Sequence, residues 1–288
     1  CLNDYLQSGG TVVDIGCGEG AAIKQLSSEP HVKGVGFDPS AIPRYTQKNL
    51  TFHSELFQAD KLLEAPSLIL CHHVLEHLND PASLLKQLRD ASTPGKTVLR
   101  VEVPHGEHLL ESLGVWDLIY EHYSYFTPAS LELLLKTSGW NPLTITGDYG
   151  DQFLVSEAVA SEKQDDLTSL TPRAVPINGN LDIVKKYFSQ STKNKRLLWG
   201  AGSKSVTFLN LIDPNDELFE VVDINPSKQG LHIAGTGHQI MPPEKALKTP
   251  KEIILMNPLY KEEVIACLKA EGIMADTYTI NELSASAK

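Results

Sequence analysis

The chain has 288 residues, of which 41% are hydrophobic and 21% are charged, and its formal net charge is −11. This length suffices for about two domains, and the composition is ordinary for a globular protein. The acidic balance and the lack of a basic run argue against a nucleic-acid duplex as a partner. Apolar runs such as 67–71 are too short to cross a bilayer, and no stretch has the pattern of a signal peptide.

The four cysteines are Cys1, Cys17, Cys71 and Cys267, and none of them forms a C-x-x-C pair. The sequence therefore indicates neither a zinc site nor a disulfide framework, and we expect no bound metal. Cys17 and Cys71 lie in apolar contexts near strand ends, where a cysteine serves as a small buried hydrophobic residue. Free thiols of this kind fit a reducing cytoplasm.

Strand-like and helix-like stretches alternate over the first 160 residues. Apolar, β-branched stretches predict strands at 11–15, 32–37, 50–52, 67–71, 97–103, 143–146 and 153–159. Helices are predicted at 20–26, at 81–89 and within 124–139. In the last of these, Thr127 can act as the cap, Pro128 suits the first turn and Gly139 can end the helix. The alternation predicts an α/β fold with a doubly wound, mostly parallel sheet.

The character of the chain changes between residues 161 and 180, where polar residues are followed by Pro172 and Pro176. We interpret this stretch as a linker, in which a surface helix is an open alternative. Strands at 196–199, 220–222 and 252–256 and helices at 203–211 and 261–270 then resume the alternation. The sequence thus predicts a first domain over 1–160, a linker over 161–180 and a second, smaller α/β domain over 181–288.

A glycine turn follows the first predicted strand, in the sequence V-V-D-I-G-C-G-E-G-A at 12–21. Gly16 and Gly18 allow a tight bend and a close approach to a ligand, and the next helix offers free N–H groups. By themselves these glycines also satisfy the dinucleotide pattern G-x-G-x-x-G/A. Asp14 and Gly20 favour another interpretation, because nicotinamide-binding strands usually carry an apolar residue where Asp14 stands.

Two further strings stand in register with this turn. The second strand ends in G-V-G-F-D-P, where Asp38 can accept hydrogen bonds from both hydroxyls of a ribose, and the fourth precedes L-E-H-L-N-D-P. The set resembles the class I methyltransferases, whose Rossmann-like domain opens its donor site with D/E-x-G-x-G-x-G. The resemblance implies S-adenosylmethionine as cofactor, with contacts expected from Asp14, Gly16, Cys17, Gly18, Gly20, Asp38 and His72. For His72, as for His73 and His77, a purely structural role is the alternative.

The string W-D-L-I-Y-E-H-Y-S-Y-F-T-P-A-S-L at 116–131 resembles the sugar C-methyltransferases, which methylate a carbon beside the keto group of a nucleotide-linked deoxysugar. Such a carbon becomes nucleophilic only after it loses a proton. Histidine accepts protons near neutral pH, and a tyrosine hydroxyl can stabilise an enolate oxygen. We therefore expect His122 to be the base that removes this proton. Glu121 is expected to orient that base or to bind the acceptor, and Tyr120 or Tyr125 to face the enolate oxygen.

Two departures from that family stand out. Tyr120 directly precedes the Glu–His pair, whereas the family has one residue between them, so the register of this tyrosine is open. The family's G-G-S-x-R segment is replaced here by G-D-Y-G-D-Q-F-L at 147–154, which indicates a different acceptor or a different way of holding it. For His122 itself, capping or packing before the following helix is the alternative.

A second glycine turn occurs in R-L-L-W-G-A-G-S-K-S at 196–205, followed by D-I-N-P-S-K-Q-G and I-A-G-T-G-H-Q-I. In this order the strings resemble the Rossmann-like C-terminal domain of the sugar C-methyltransferases, with Ala234 where the family tends to have proline. The resemblance implies that this domain holds the nucleotide diphosphate of the acceptor through Gly200, Gly202, Ser203, Lys204 and Lys228. For Lys228, a solvated surface charge is the alternative. Longer family members also carry an N-terminal cysteine-rich zinc module, which this sequence lacks. We expect this difference to reflect a truncation before Cys1.

The leading hypothesis is thus S-adenosylmethionine-dependent C-methylation of a nucleotide-linked keto-deoxysugar, in polysaccharide or natural-product biosynthesis. Three alternatives stay open at this point. The first is O- or N-methylation of another small molecule. The second is an NAD-dependent oxidoreductase with two Rossmann-like units, and the third is a binding module without turnover.

Overall fold

A computed structural model of the chain describes residues 9–26, 31–41, 47–111, 114–162, 177–189, 195–246, 252–270 and 272–286. The chain divides into two compact units, one made of 1–107 and 121–172, the other of 108–120 and 173–288. The sequence analysis had placed 108–120 in the first domain. Most of the predicted linker lies outside the described residues, so its bounds stay a prediction.

The described part of the first unit contains a seven-stranded sheet in the order β3-β2-β1-β4-β5-β7-β6. Its strands are β1 Gly10–Ile15, β2 Val32–Phe37, β3 Leu50–His53, β4 Leu68–His72, β5 Val98–Pro104, β6 Trp140–Asp148 and β7 Phe153–Ala160. Strands β1 to β5 run parallel, whereas β7 is antiparallel to both β5 and β6. The predicted doubly wound α/β sheet is therefore confirmed. Its carboxyl ends at β1, β2 and β4 form the edge at which open sheets of this type bind ligands.

The helices of the first unit pack on this sheet through apolar side chains. They are α1 Ala21–Leu26, α2 Pro81–Asp90 and α4 Pro128–Thr137; α3 Gly106–Glu111 continues into the segment that belongs to the second unit. The predicted cap of α4 is confirmed, since Thr127 Oγ1 accepts a hydrogen bond of 3.1 Å from Ser130 N. Leu85 and Leu88 of α2 and Leu131 and Leu135 of α4 are fully buried in the core of this unit.

The second unit contains, in its described part, five parallel strands in the order β10-β9-β8-β11-β12. The strands are β8 Arg196–Trp199, β9 Phe219–Val222, β10 Ile240–Met241, β11 Ile253–Leu255 and β12 Thr277–Thr279. The helices are α5 Ile177–Ser189, α6 Ser203–Ile212, α7 Pro243–Ala246, α8 Lys261–Ala270 and α9 Ile280–Ser286. A second α/β domain with a parallel sheet is therefore confirmed. No described helix of the chain is both long enough and apolar enough to cross a membrane.

The segment 108–120 belongs to the second unit because its apolar side chains complete that core. Trp116 is only 1% exposed and lies with its ring centroid 6.3 Å from that of Phe208 on α6. Asp117, next along the chain, forms an ion pair of 2.8 Å with Lys204 at the start of α6. The string 116–131 is thus divided between the units after Tyr120.

Candidate active site

The glycine turn after β1 is built by main-chain hydrogen bonds. Gly16 N donates to Phe37 O at 2.8 Å, and Gly20 N donates to Cys17 O at 2.8 Å. Gly16 has φ 72°, and a Cβ there would come within 2.5 Å of Val74 Cγ2, so both the conformation and the space require glycine. A Cβ on Gly18 would meet nothing within 4 Å, which leaves the face of the turn open to a ligand.

Asp14 lies in β1 with only 4% of its surface exposed. Burial, together with the nearby charge of Asp38, raises the pKa of Asp14 to about 7. A buried carboxyl group of this kind is stabilised in its ionised form by a cation, and its position at the carboxyl end of the sheet places it beside the open turn. Asp14 is therefore suited to a positively charged part of a ligand.

Asp38, the acid that follows β2, braces the same turn. Its Oδ2 accepts a hydrogen bond of 2.9 Å from Gly18 N, and its Oδ1 accepts bonds of 2.7 Å from the main chain and the hydroxyl of Ser40. Burial would raise the pKa of Asp38, but the bonds from Ser40 and Gly18 outweigh it and hold the pKa below its ordinary value. The carboxylate is thus ionised at neutral pH and fixed beside the glycine turn.

The two remaining candidates of the donor site differ in their environment. Cys17 is buried, and its Sγ lies against Gly36. Burial and the charges of Asp14 and Asp38 raise the pKa of its thiol to about 12. His72 ends β4, and burial lowers its pKa; its Nε2 has no hydrogen-bond partner among the described residues. A neutral imidazole with an available nitrogen therefore stands at the carboxyl end of β4.

A cluster that the sequence analysis did not predict follows His72. The His73 ring lies between two carboxylates, with Nε2 3.0 Å from Glu102 Oε1 and Nδ1 3.2 Å from Glu76 Oε1. Hydrogen bonds to Glu102 and to Glu76 raise the pKa of His73 to about 9, so both nitrogens donate and the ring is an imidazolium. Its backbone has φ 53°, and its ring packs on the edge of Phe153 at 4.8 Å.

Glu76 also fixes the string that begins at Glu121. Its main-chain oxygen accepts hydrogen bonds from Tyr123 N at 2.7 Å and from Ser124 N at 3.2 Å. His77 Nδ1 lies 3.2 Å from Glu121 O and must donate there, because a carbonyl oxygen only accepts. The short turn Leu75–His77 therefore holds the main chain on both sides of His122, at Glu121 and at residues 123–124.

The predicted base and its neighbours are partly brought together. The ring centroid of His122 lies 4.8 Å from that of His77 and 5.7 Å from that of Tyr125, both within the first unit. Glu121 is exposed and contacts His77 through its main chain. Tyr120 belongs to the second unit and its side chain is 92% exposed. Of the two candidate tyrosines, the structure thus places Tyr125 beside His122.

The second unit has its own cleft, of about 580 Å³, at the carboxyl ends of β8, β9 and β11. All five residues predicted for the acceptor's nucleotide line it: Gly200, Gly202, Ser203, Lys204 and Lys228. The other lining residues include Trp199, Asp223, Ile224, Asn257 and Tyr260. A helix that starts at Ser203 directs free main-chain N–H groups toward this end of the sheet.

Both lysines of this cleft have carboxylate partners. Lys228 Nζ lies 3.2 Å from Asp223 Oδ2 and donates to Ala201 O at 3.3 Å, while Lys204 pairs with Asp117. Asp223 Oδ2 in turn accepts a hydrogen bond of 2.8 Å from Ala201 N. Burial would raise the pKa of Asp223, but hydrogen bonds from Asn225 N, Ala201 N and Lys228 hold it below its ordinary value. An anionic ligand in this cleft therefore has to share the lysines with these carboxylates.

The residues of the first unit fit S-adenosylmethionine, which carries an α-ammonium group, a sulfonium and a ribose. The buried Asp14 carboxyl matches the cation, and the open face over Gly18 leaves room for the ligand. Asp38 Oδ1 accepts both bonds from Ser40, whereas Oδ2 accepts one bond from Gly18 N and keeps a lone pair for a ribose hydroxyl. The donor set thus agrees with the chemistry of this cofactor.

Comparison with known families gives the same result. Residues 2–145, half of the chain, match the family model described as a methyltransferase domain, and residues 178–275 match the C-methyltransferase C-terminal domain. No curated protein matches the chain.

Solved structures resemble it over about half its length. A chain of the complex between the Haloferax volcanii Trm112 methyltransferase activator and the putative methyltransferase is 17% identical, with 55% of this chain and 85% of that chain covered and a TM-score of 0.46. A putative S-adenosylmethionine-dependent methyltransferase from Listeria monocytogenes is 15% identical, with 55% of this chain and 93% of that chain covered and a TM-score of 0.42. The two family matches decide the assignment: the chain belongs to the S-adenosylmethionine-dependent methyltransferases and carries a C-methyltransferase C-terminal domain.

Proposed function

We propose that the chain methylates a carbon beside the keto group of a nucleotide-linked deoxysugar. The observation that carries this proposal is the cleft of the second unit, which combines the glycine turn Gly200–Gly202 with Ser203, Lys204 and Lys228 in the domain that matches the C-methyltransferase C-terminal model. Main-chain N–H groups at a helix start and lysine side chains are the donors that bind a diphosphate. The methyltransferase family replaces the oxidoreductase alternative.

In this proposal, the cofactor is bound by Asp14, Asp38, His72 and the turn of Gly16, Cys17, Gly18 and Gly20. Asp14 stabilises positive charge, and Asp38 accepts from the ribose hydroxyls. S-adenosylmethionine supplies an electrophilic methyl group, whose bond to sulfur breaks with the electron pair left on sulfur. The residues of the protein have to make the acceptor carbon nucleophilic.

His122 removes the proton beside the keto group. The carbon–hydrogen bond breaks, its electron pair moves into the enolate, and the proton forms an N–H bond on the imidazole. The Tyr125 hydroxyl donates a hydrogen bond to the enolate oxygen. After methyl transfer, the imidazolium returns its proton to solvent. Glu121 stays a candidate for binding the acceptor, since its side chain is exposed and its main chain is fixed by His77.

Replacement of G-G-S-x-R by the acidic and aromatic hairpin 147–154 favours an acceptor that is not held by an arginine there. Tyr149 is half exposed and packs on Phe153 at 5.6 Å, so an aromatic face replaces a charge. O- or N-methylation is the competing function, and the absence of that arginine is the observation that favours it.

A panel of dTDP-, UDP- and GDP-linked 4-keto-6-deoxyhexoses tests the proposal, first by thermal protection of the protein and then with methyl-labelled S-adenosylmethionine. We expect one member to gain a labelled methyl group on carbon, and to exchange the neighbouring hydrogen in D2O. His122→Ala should abolish exchange and transfer while S-adenosylhomocysteine still binds. A label on oxygen or nitrogen, or full activity of His122→Ala, would show the proposal to be wrong.

A further inference from the structure

The carboxylate of Glu76 has one oxygen that the fold does not use. The residue is 0% exposed, and its Oε1 bonds to His73. Its Oε2 is buried and has no hydrogen-bond partner within the described part of the chain. An unpartnered buried carboxylate oxygen is destabilising, so folding alone does not account for a charged side chain at this position.

Glu76 lies next to the proposed base. A carboxylate oxygen of Glu76, a ring nitrogen of His77 and a ring nitrogen of His122 all lie within 4.8 Å of one another. His77 is held by its bond to Glu121 O and packs its ring at 79° against that of His122. The carboxylate and the base therefore share one small, fixed group of side chains.

We propose that Glu76 is a positioning residue for the His122 base, oriented by His73, and that its carboxylate stabilises the imidazolium that forms when His122 takes the acceptor's proton. This inference rests on the proposed function, because it needs His122 as the base. It adds a residue that the sequence analysis assigned to no role.

The charges of the cluster support this role. With Glu76 and Glu102 ionised and His73 protonated, the three side chains carry one net negative charge. Protonation of His122 neutralises that charge, so the intermediate state is favoured by the surroundings. Glu102 completes the cluster, since its hydrogen bond is the largest contribution to the raised pKa of His73 and so keeps the imidazolium charged.

The groups that face His122 come from two segments. His77 and Glu76 belong to the turn after β4, and Tyr125 to the string before α4; the exposed Glu121 is its chain neighbour. Among these, Glu76 is the buried anion. Replacing it by glutamine keeps the shape and an oxygen for His73, and removes the charge.

The direct test follows the titration of His122 by NMR in protein labelled at histidine, without any acceptor. Assignment comes from the loss of one resonance in His122→Ala. We expect Glu76→Gln to lower the titration midpoint of His122 by about one pH unit, the size typical of losing a nearby opposite charge. Glu132→Gln, an exposed acid on α4, is the matched control and should leave the midpoint in place. An unchanged midpoint in Glu76→Gln would overturn the inference.

Kinetics with the acceptor found in the panel separates this inference from the proposed function. Glu76→Gln should lower kcat about tenfold or more and move the acidic limb of the pH profile to lower pH, with little change in KM. The same substitution in a His122→Ala background should have no further effect. If His122→Ala alone retains full turnover, the proposed base is wrong. If it keeps only a small residual rate and the double variant lowers that rate tenfold further, only the role of Glu76 is wrong.

Two controls keep the test decisive when a variant folds poorly. Glu76→Asp retains the charge and should restore part of the midpoint shift, which a purely structural role would not predict. Binding of S-adenosylhomocysteine and thermal unfolding report the folded state of each variant. Activity that depends on an added divalent metal ion would also overturn the inference, because the three side chains would then bind that ion instead of a proton.

Discussion

Asp38 Oδ2 accepts a hydrogen bond from Gly18 N at 2.9 Å, which ties the acid after the second strand to the glycine turn after the first. The second unit repeats this relationship between Asp223 and Ala201 at 2.8 Å. In both units the acid fixes the main chain of the turn and lies at the carboxyl end of the sheet, the edge at which open sheets of this type bind ligands.

This repeated relationship predicts paired effects of Asp38→Asn and Asp223→Asn. An asparagine cannot keep all the bonds of the carboxylate, and a hydrogen bond to a charged group is worth about 2 kcal/mol. Asp38→Asn should weaken S-adenosylhomocysteine binding about thirtyfold or more, whereas Asp223→Asn should leave that affinity unchanged and alter only the binding of nucleoside diphosphates, because it frees Lys228. Calorimetry with each ligand measures both; an equal loss of S-adenosylhomocysteine affinity in the two variants would contradict the division of tasks.

The pKa of Asp14 predicts that the ligand-free protein loses stability as pH rises from about 4 to 7. The native state holds a proton on Asp14 that the unfolded state releases near pH 4. The unfolded state therefore becomes more stable relative to the native state as pH rises. The shift to about 7 corresponds to a loss of at most about 4 kcal/mol.

Asp14→Asn should remove this pH dependence, and unfolding by urea across this pH range measures it. The variant should also bind S-adenosylmethionine and S-adenosylhomocysteine more weakly than the native protein does, because both carry the α-ammonium group that a carboxylate can stabilise. Stabilities of the native protein and of Asp14→Asn that change in parallel between pH 4 and 7 would show that Asp14 is already ionised.

The cluster around His73 predicts a titration that is accessible to NMR. Hydrogen bonds to Glu102 and Glu76 place its pKa at about 9, so the ring stays charged throughout the neutral range. Glu102→Gln should lower this midpoint, because it removes one of the two anions that the imidazolium contacts. Glu107→Gln, an exposed acid close by in sequence, is the matched control. A titration midpoint of His73 near 6.5 in the native protein would mean that the ring is mostly neutral at pH 7 and would contradict this prediction.

Much of the fold was predictable from the sequence, because hydrophobic alternation and capping are local signals. Strands 32–37 and 196–199 and helix 261–270 have the predicted bounds, and Thr127 caps α4 as predicted. Short elements such as Ile240–Met241 and Thr277–Thr279 were missed, since two or three residues give no periodic pattern.

The candidate site was predictable in its residue types and less so in its connections. The Glu–His string after β4 was recognised as a motif, yet nothing in it shows that Glu76 is fully buried or that His73 joins it to Glu102, which is distant in sequence. Likewise, the aromatic string 116–131 gave no sign that Trp116 belongs to another core than Phe126, because membership of a core depends on tertiary packing.

That division of the string predicts selective effects of two tryptophan substitutions. Trp116 is buried in the second unit and Trp140 in the first, each 1% exposed. Replacing a buried tryptophan by alanine costs about 3–5 kcal/mol, because it removes apolar contacts and leaves a cavity. In hydrogen exchange, Trp116→Ala should expose the amides of β8 and β9, and Trp140→Ala those of β4 and β5. Uniform deprotection in both variants would refute the assignment of Trp116.

The second unit should also unfold in acid through Asp213, which is 2% exposed. Its carboxylate accepts hydrogen bonds from Glu217 N, Leu218 N and Phe219 N, and its Oδ2 lies 2.9 Å from His238 Nε2. Burial would raise the pKa of Asp213, but these bonds outweigh it and lower the pKa. A lowered pKa contributes stability that is present above the unfolded value near 4 and is lost as pH falls through the folded value.

Asp213→Asn should therefore lower stability at pH 7 by about 1–3 kcal/mol, because the amide leaves a buried donor without its acceptor. The difference from the native protein should shrink as pH falls below 4, because the unfolded carboxyl then takes up a proton that the folded carboxylate does not. Hydrogen exchange of the β9 amides at pH 7 and pH 3 measures this in the second unit alone. Asp182→Asn, an exposed acid on α5, should change neither value. A loss of stability in Asp213→Asn that is the same at both pH values would assign the effect to packing and not to the charge.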